Sequence, residues 1–504
     1  MKNKIHFPIL IKITISLILG SFLIFSIKDL PIVVALTTKI LSEYPYWTYP
    51  NQEDFSLFQN GTELGTAVSS AGDLNNDGYD DAIVGAIRYT DNVDKEGAVF
   101  LFLGSQQGLS NSPVWVQGGG QDSSEFGCAI NIIGDLNGDL VSDILVGACR
   151  YNTTLKQAGK IFVYFGGSDI TEKSMADWNF EGDQKESGFG SAVSPAGDLN
   201  KDNFADFIVG AKYYDTEGKA NNGKAFVFFG GKKEDISTTP DWNATGIDSY
   251  SLFGYSVASA GDVDGNGYPD IIIGSPGLSN FGYAYVFLNS ISGLENIPSI
   301  TITNTQSGAK FGSSVAGIGD VNHDGFDDVL IGSPSAKNES EEVVGCVYLY
   351  LGSGGATSSD YQDYDWMHCG DQVGGLFGAT VAAAGNMNND PENLADFLVG
   401  MPNFSMSSEQ RGAIYLFFGS SSNPSGVDDY YEYTYGKQSS SGFGSALSSA
   451  GDVNNDGVPD VIVGAPFYKI NETNPIGRVM AYYAGIEGLP ETDYFQVFIP
   501  IIQK

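Results

Sequence analysis

Six short stretches of this chain place oxygen-bearing side chains at the first, third, fifth and ninth positions of a loop. They are Asp73, Asn75, Asp77 and Asp81; Asp135, Asn137, Asp139 and Asp143; Asp198, Asn200, Asp202 and Asp206; Asp262, Asp264, Asn266 and Asp270; Asp320, Asn322, Asp324 and Asp328; and Asp452, Asn454, Asp456 and Asp460. Each set brings three carboxylates into one turn, where they repel unless a cation sits between them. Side chains at alternate positions of a tight turn converge on one point, and the carbonyl of the seventh residue, Tyr79 in the first loop, adds another oxygen. Hard oxygen donors in that number suit Ca2+, which takes ligands at about 2.3–2.6 Å. The expected cofactor is calcium, in about six structural sites.

The first half of the pattern matches the D-x-[DN]-x-[DN]-G run of helix-flanked calcium loops, but the second half does not. It ends with Asp at position nine rather than Glu at twelve, and strand-like segments flank it on both sides. A metal-free Asx-turn is the plainer reading of any single copy; six copies in register favour calcium. Position six, where most copies carry Gly, is expected to need positive φ, and it holds Leu140 in the second copy and Asn203 in the third. A seventh copy, "GNMNNDPENLADFLVGM" from residue 385, begins with Asn386, has Pro391 for Gly and delays its last acid to Asp396. It is expected to bind calcium weakly or not at all.

The loops belong to a longer repeat. Their first positions fall at 73, 135, 198, 262, 320, 386 and 452. About eight residues before each comes a Phe-Gly pair, as in "FGSAV" at 189 and "FGYSV" at 253, with "LGTAV" at 64 as the variant. After each loop come an apolar strand, a polar connection, a third strand such as "GKAFVFFGG" at 223 and a weaker fourth such as "PDWNATG" at 240. The runs are short, rich in β-branched and aromatic residues, and apolar at consecutive positions, which is the mark of strands buried on both faces. Four strands per repeat make one antiparallel sheet, which must stack on its neighbours to bury both faces. Seven such sheets in a ring give the expected fold class, an all-β seven-bladed β-propeller of four-stranded antiparallel blades. One of two terminal segments, "EDFSLFQNG" at 53 or "TDYFQVF" at 492, is expected to complete the last blade.

Composition narrows the partners. With 61 acidic and 25 basic residues the net charge is -36, which leaves no basic footprint for nucleic acid. Lys2 and Lys4 precede an apolar run at 7–27 interrupted by Lys12, which reads as either a cleaved signal peptide or an uncleaved N-terminal anchor. Both send the rest of the chain outside the cell, and the anchor is the only expected membrane contact. The domain reading is 1–35 targeting segment, 36–52 linker and 53–500 propeller. Four cysteines are too few to form a framework; Cys128 and Cys149 read equally as a bridge or as two free thiols, and Cys346 with Cys369 is less defined. N-x-[ST] sequons begin at Asn60, Asn152, Asn243, Asn338, Asn403 and Asn471.

Phe-Gly, the acidic loop, and then "GAP" at 464 or "GSP" at 274 and 332 resemble FG-GAP repeats, the units of the integrin α-chain propeller. The resemblance covers roughly residues 50–500. It implies a seven-bladed propeller with calcium in the first-to-second-strand loops of some blades and ligands on the opposite face. An integrin α-chain continues into leg domains and a membrane span, whereas this sequence stops at Lys504 right after its last expected strand, and no inserted ligand-binding domain is expected in the ring. The expectation is therefore a stand-alone secreted or anchored propeller rather than one half of a heterodimer.

On the face opposite the acidic loops, the second-to-third-strand connections begin "AIRYTD", "ACRYNT", "AKYYDT" and "APFYKI". They gather Arg88, Tyr89, Arg150, Tyr151, Lys212, Tyr213, Tyr214, Phe467, Tyr468 and Lys469, aromatic and cationic groups suited to an extracellular protein or glycan ligand. The plainer reading is that the tyrosines cap the blades and the cations balance nearby acids. No nucleophile elbow, HExxH site or phosphate loop occurs, and the three histidines form no constellation, so the expectation is a binding protein rather than an enzyme. Polysaccharide cleavage is the reading left from that other class.

Overall fold

The computed structural model describes residues 40–484, except 52–53, 55–57, 278–280, 305, 358–360 and 472–474, together with 22–27 and 30–35. Residues 1–39 are a unit of their own, in which Phe22–Ile27 and Leu30–Ala35 pair as antiparallel strands. Among the described residues no helix is long and apolar enough to cross a membrane.

From residue 40 onward the chain is a seven-bladed β-propeller of four-stranded antiparallel sheets. Blade one comprises Leu64–Gly72, Asp81–Ala86, Ala98–Phe102 and Trp115–Gly118, and blades two to seven begin at Phe126, Phe189, Ser256, Ser314, Thr380 and Ala446. The second strands are buried at every position, because both faces are covered by neighbouring blades. Outer strands such as Trp242–Thr245 alternate buried and exposed positions. First strands of successive blades pack on one another right round the ring, with Ala446–Gly451 meeting Leu64–Gly72, so they line the centre.

The repeated glycines make the seam between blades. Gly85, in the second strand of blade one, lies so close to the carbonyl of Gly127, after the Phe of blade two, that a Cβ could not fit. The same approach recurs at Gly464 and Gly65, where blade seven meets blade one. The Phe-Gly pair of one blade and the strand-two glycine of the blade before it are thus two halves of one contact.

Of the two segments expected to close the ring, 492–498 lies outside the described residues and 53–61 does so in part. The closing strand is Trp47–Tyr49, within the stretch read as linker; it pairs with Arg478–Tyr482 as the fourth strand of blade seven. All five tryptophans of the chain, at positions 47, 115, 178, 242 and 366, begin a fourth strand. Three of their indole N–H groups donate to a carbonyl of the next blade: Trp47 to Ser110, Trp115 to Lys173 and Trp242 to Glu295, at 2.7–3.1 Å.

Cys346 and Cys369 stand directly opposite each other in the third and fourth strands of blade five and form a disulfide. Cys128 and Cys149 are free thiols. Cys128 falls in a strand irregularity between Phe126 and Ala129, out of register with the facing strand, and its sulfur accepts the backbone N–H of Cys149 at 3.1 Å.

Candidate metal centres

Each acidic loop joins the first strand of a blade to the second, and the ninth-position aspartate, replaced in loop six by Asp396 at position eleven, enters the second strand with no exposed surface. One carboxylate oxygen accepts the backbone N–H of the loop's second residue (Leu74, Leu136, Leu199, Val263, Val321, Met387 or Val453) at 2.7–3.1 Å. The other accepts an N–H just past the third strand, from Gly104, Gly166, Gly230, Asn289, Gly352, Gly419 or Ala484, at 2.7–3.0 Å. Asp81, Asp143, Asp206, Asp270, Asp328, Asp396 and Asp460 therefore each clasp three strands of their own blade.

The first-position aspartate organises the loop itself. Asp73, Asp135, Asp198, Asp262, Asp320 and Asp452 all accept backbone N–H bonds from positions five and six. Those bonds require positive φ at position six, where Gly78 has 90°, Leu140 68°, Asn203 69°, Gly267 85°, Gly325 89° and Gly457 91°. In the seventh copy, loop six in blade order, Asn389 keeps the positive φ that position four has in the full loops, Asn393 takes the second one in place of position six, and Asn386 supplies an amide in place of the first carboxylate.

Burial, the largest cause, pushes the ninth-position carboxyls up to about 7 (Asp81, Asp206, Asp270, Asp396) or about 8 (Asp143, Asp328, Asp460). The accepted N–H bonds pull them down, and in the six full loops the acids at positions one and five or three push them up. Among the described residues no cation stands beside these carboxylates. The donor set fits a cation in blade four, where one oxygen each from Asp262, Asp264 and Asp270 lies within 4.8 Å of the others. That span is about twice a calcium–oxygen bond length. Asn75, Asn200 and Asn322 instead donate their side-chain N–H to the fifth-position acid at 2.8–2.9 Å.

The loops are tied to one another. Third-strand ends donate to the second-position carbonyl of the preceding blade: Ser105 to Val453, Gly167 to Leu74, Gly231 to Leu136, Ser353 to Val263 and Ser420 to Val321, at 2.8–3.0 Å. Blade four makes the same link through the Asn289 side chain to Leu199. Asp80 accepts the Asp452 N–H, and Asp327 the Asp262 N–H, both at 2.8 Å. Asp80, Asp327 and Asn289 carried no signal in the four-position pattern, although all sit beside it in sequence or register.

A family model for the FG-GAP repeat matches residues 189–228, 253–287, 311–350 and 443–479. The chain thus carries four FG-GAP repeats. The four matched repeats are blades three, four, five and seven; the unmatched blades carry Leu64 for Phe, Leu140 for Gly, or the irregular loop at 386–396. Among curated proteins the chain is similar to integrin alpha-5 of Xenopus laevis, 32% identical over 222 residues, and integrin alpha-8 of Mus musculus, 34% over 226 residues. Those alignments cover 42% and 43% of this chain but 20% of each relative, so the FG-GAP chain matches about a fifth of their length.

On the opposite face of the FG-GAP propeller, Tyr89, Tyr151, Tyr214 and Tyr468 are partly buried and pack on blade cores, each capping one blade. Arg88 pairs with Glu63 and Arg150 with Glu125, both at 3.1 Å. Tyr213 and Phe467 are exposed, and the Lys212 ammonium lies over the rings of Tyr213 and Tyr255.

Proposed function

We propose that this FG-GAP propeller is an extracellular binding or adhesion module whose acidic loops hold calcium. The observation that carries the calcium reading is the shared loop geometry: six copies with the same main-chain bonds, each ending in a buried aspartate with no cation beside it among the described residues. Bound calcium would supply that charge through positions one, three, five and nine and the seventh-position carbonyl, with Tyr79 giving the carbonyl in the first loop. Its role there is structural, since the loops lie at the inner turn of each blade. Ligand contact belongs to the opposite face, where Tyr213, Phe467, Arg88 and Arg150 are exposed. Similarity to integrin alpha chains supports a protein ligand. Residues 1–35 act as the signal peptide or anchor in this reading, and the six sequon asparagines all keep some exposure for glycan attachment.

A thermal melt in calcium and in chelator tests the metal. The midpoint is expected to fall on chelation, and the Asp262→Ala variant to lose part of that difference. An unchanged midpoint sinks the calcium reading.

A further inference from the structure

The seam between blades six and seven holds a cavity of about 280 Å³ whose wall includes Arg478, Lys437, Tyr435, Tyr468, Thr48 and Ser441. The internal repeat shows what is unusual there. Arg478 is the first residue of the third strand of blade seven, the position of Lys160 in blade two and Lys224 in blade three. All three cations lie over an aromatic ring from the preceding connection: Tyr151, Tyr214 and Tyr468. Lys160 faces Glu181 on the fourth strand, at 3.1 Å, and Lys224 feels the charge of Asp183. In blade seven the fourth strand is Trp47–Tyr49, and the residue that follows it, in line with Arg478, is Pro50, which offers only a carbonyl.

The Arg478 guanidinium therefore donates to two neutral oxygens, Tyr468 Oη at 2.8 Å and the Pro50 carbonyl at 3.1 Å. Its Nε–H is buried without an acceptor, and among the described residues no carboxylate lies within 4.0 Å. Of the four arginines of the chain, Arg88, Arg150 and Arg411 each pair with a glutamate, and Arg478 has no such partner among the described residues. Lys437, the other cation of the wall, already pairs with Glu43 at 2.9 Å and covers the rings of Tyr44 and Tyr435.

We propose that this cavity binds a carboxylate-bearing saccharide residue, its carboxylate on Arg478, its ring against Tyr435 and Tyr468, and its hydroxyls toward Thr48 and Ser441. A planar guanidinium is the side chain suited to two-oxygen recognition of a carboxylate. The volume is at the lower edge of the range for ligand pockets, which fits one sugar unit. The proposal stands apart from the calcium reading, because none of these residues belongs to an acidic loop.

Titration of the full chain with sodium glucuronate, followed by ligand-observed NMR and calorimetry, tests it. Glucuronate is expected to bind, and glucose, which lacks the carboxylate, to bind at least about tenfold more weakly, the order expected when a charge-assisted hydrogen bond is lost. Arg478→Lys keeps the charge and is the residue type that blades two and three carry, so it should fold; it is expected to weaken glucuronate by about tenfold or more. Equal binding of glucose, equal binding by Arg478→Lys, or no glucuronate binding overturns the proposal. Binding of N-acetylglutamate without glucuronate overturns it in favour of an acidic peptide. The chelator melt distinguishes these failures from a failure of the calcium reading.

Discussion

The ninth-position aspartates serve two ends, and loop six separates them. Asp396 makes the full clasp to Met387 and Gly419 in a loop that lacks the calcium pattern, whereas Asp452 sits at position one of a full loop. Removing a buried charged acceptor leaves two amide donors unsatisfied, so Asp396→Ala is expected to lower stability by about 2–4 kcal/mol in calcium and in chelator alike. Asp452→Ala should instead act mainly on the calcium-dependent part; denaturant unfolding under both conditions separates the two. The same carboxyls give the pH dependence its sign. Their folded pKa values, about 7 for Asp396 and about 8 for Asp460, lie above the ordinary value near 4. Between those limits the folded chain holds protons that the unfolded chain has released, so stability falls as pH rises from about 4 to about 8. With calcium chelated, the melting midpoint is expected to be higher at pH about 5.5 than at about 8. If calcium occupies the full loops as proposed, it would compete with protons there, so its presence should shrink or reverse that slope. A midpoint in chelator that climbs with pH would contradict the burial argument.

At the scale of the loop and strand, much was legible because the constraint is local and repeated. The alternation of Asp and Asn, the positive φ at position six and the fully buried second strands follow from residue types a few positions apart, and each holds in several blades. Leu140 is the residue that departs from this logic: it adopts φ 68° and is 91% exposed, so it pays backbone strain without packing in return. Leu140→Gly is expected to raise stability by about 0.5–1 kcal/mol, read from the shift of the unfolding midpoint at unchanged slope. A loss of stability would mean that the exposed leucine makes a contact the loop needs. Less legible were contacts that cross between blades, such as Asp80 to Asp452, because their partners lie 372 residues apart in sequence. Cysteine pairing failed to show for a related reason: the bonded pair is set by strand register, Cys346 opposite Cys369, and an irregularity at Cys128 displaces the other.

At the scale of the whole ring, the repeat fixes seven blades but leaves open which terminus supplies the last strand, since either end carries plausible apolar segments. A signal was present: every tryptophan begins a fourth strand, and Trp47 is the one that stands before the first repeat. The N-terminal strap does more than fill a gap. Leu41 donates its N–H to Glu432 of blade six at 2.7 Å, Lys437 pairs with Glu43, and Trp47 crosses to Ser110 of blade one while its ring packs edge-on to Phe102 at 4.9 Å. Eleven residues thus touch three consecutive blades at the point where the ring closes. Without them, Arg478–Tyr482 becomes an unpaired edge, and exposed edges invite pairing between chains. A chain beginning at residue 40 is therefore expected to melt like the intact protein. A chain beginning at residue 51 should melt lower, lose the sharpness of its transition and run as oligomers in size-exclusion chromatography. Trp47→Ala, which keeps the strand but removes the indole, should fall between them, at about 3–5 kcal/mol of lost stability. If the chain beginning at 51 stayed monomeric with an unshifted midpoint, the strap would be an accessory and the ring would be held by the inner strands and their glycine seams alone.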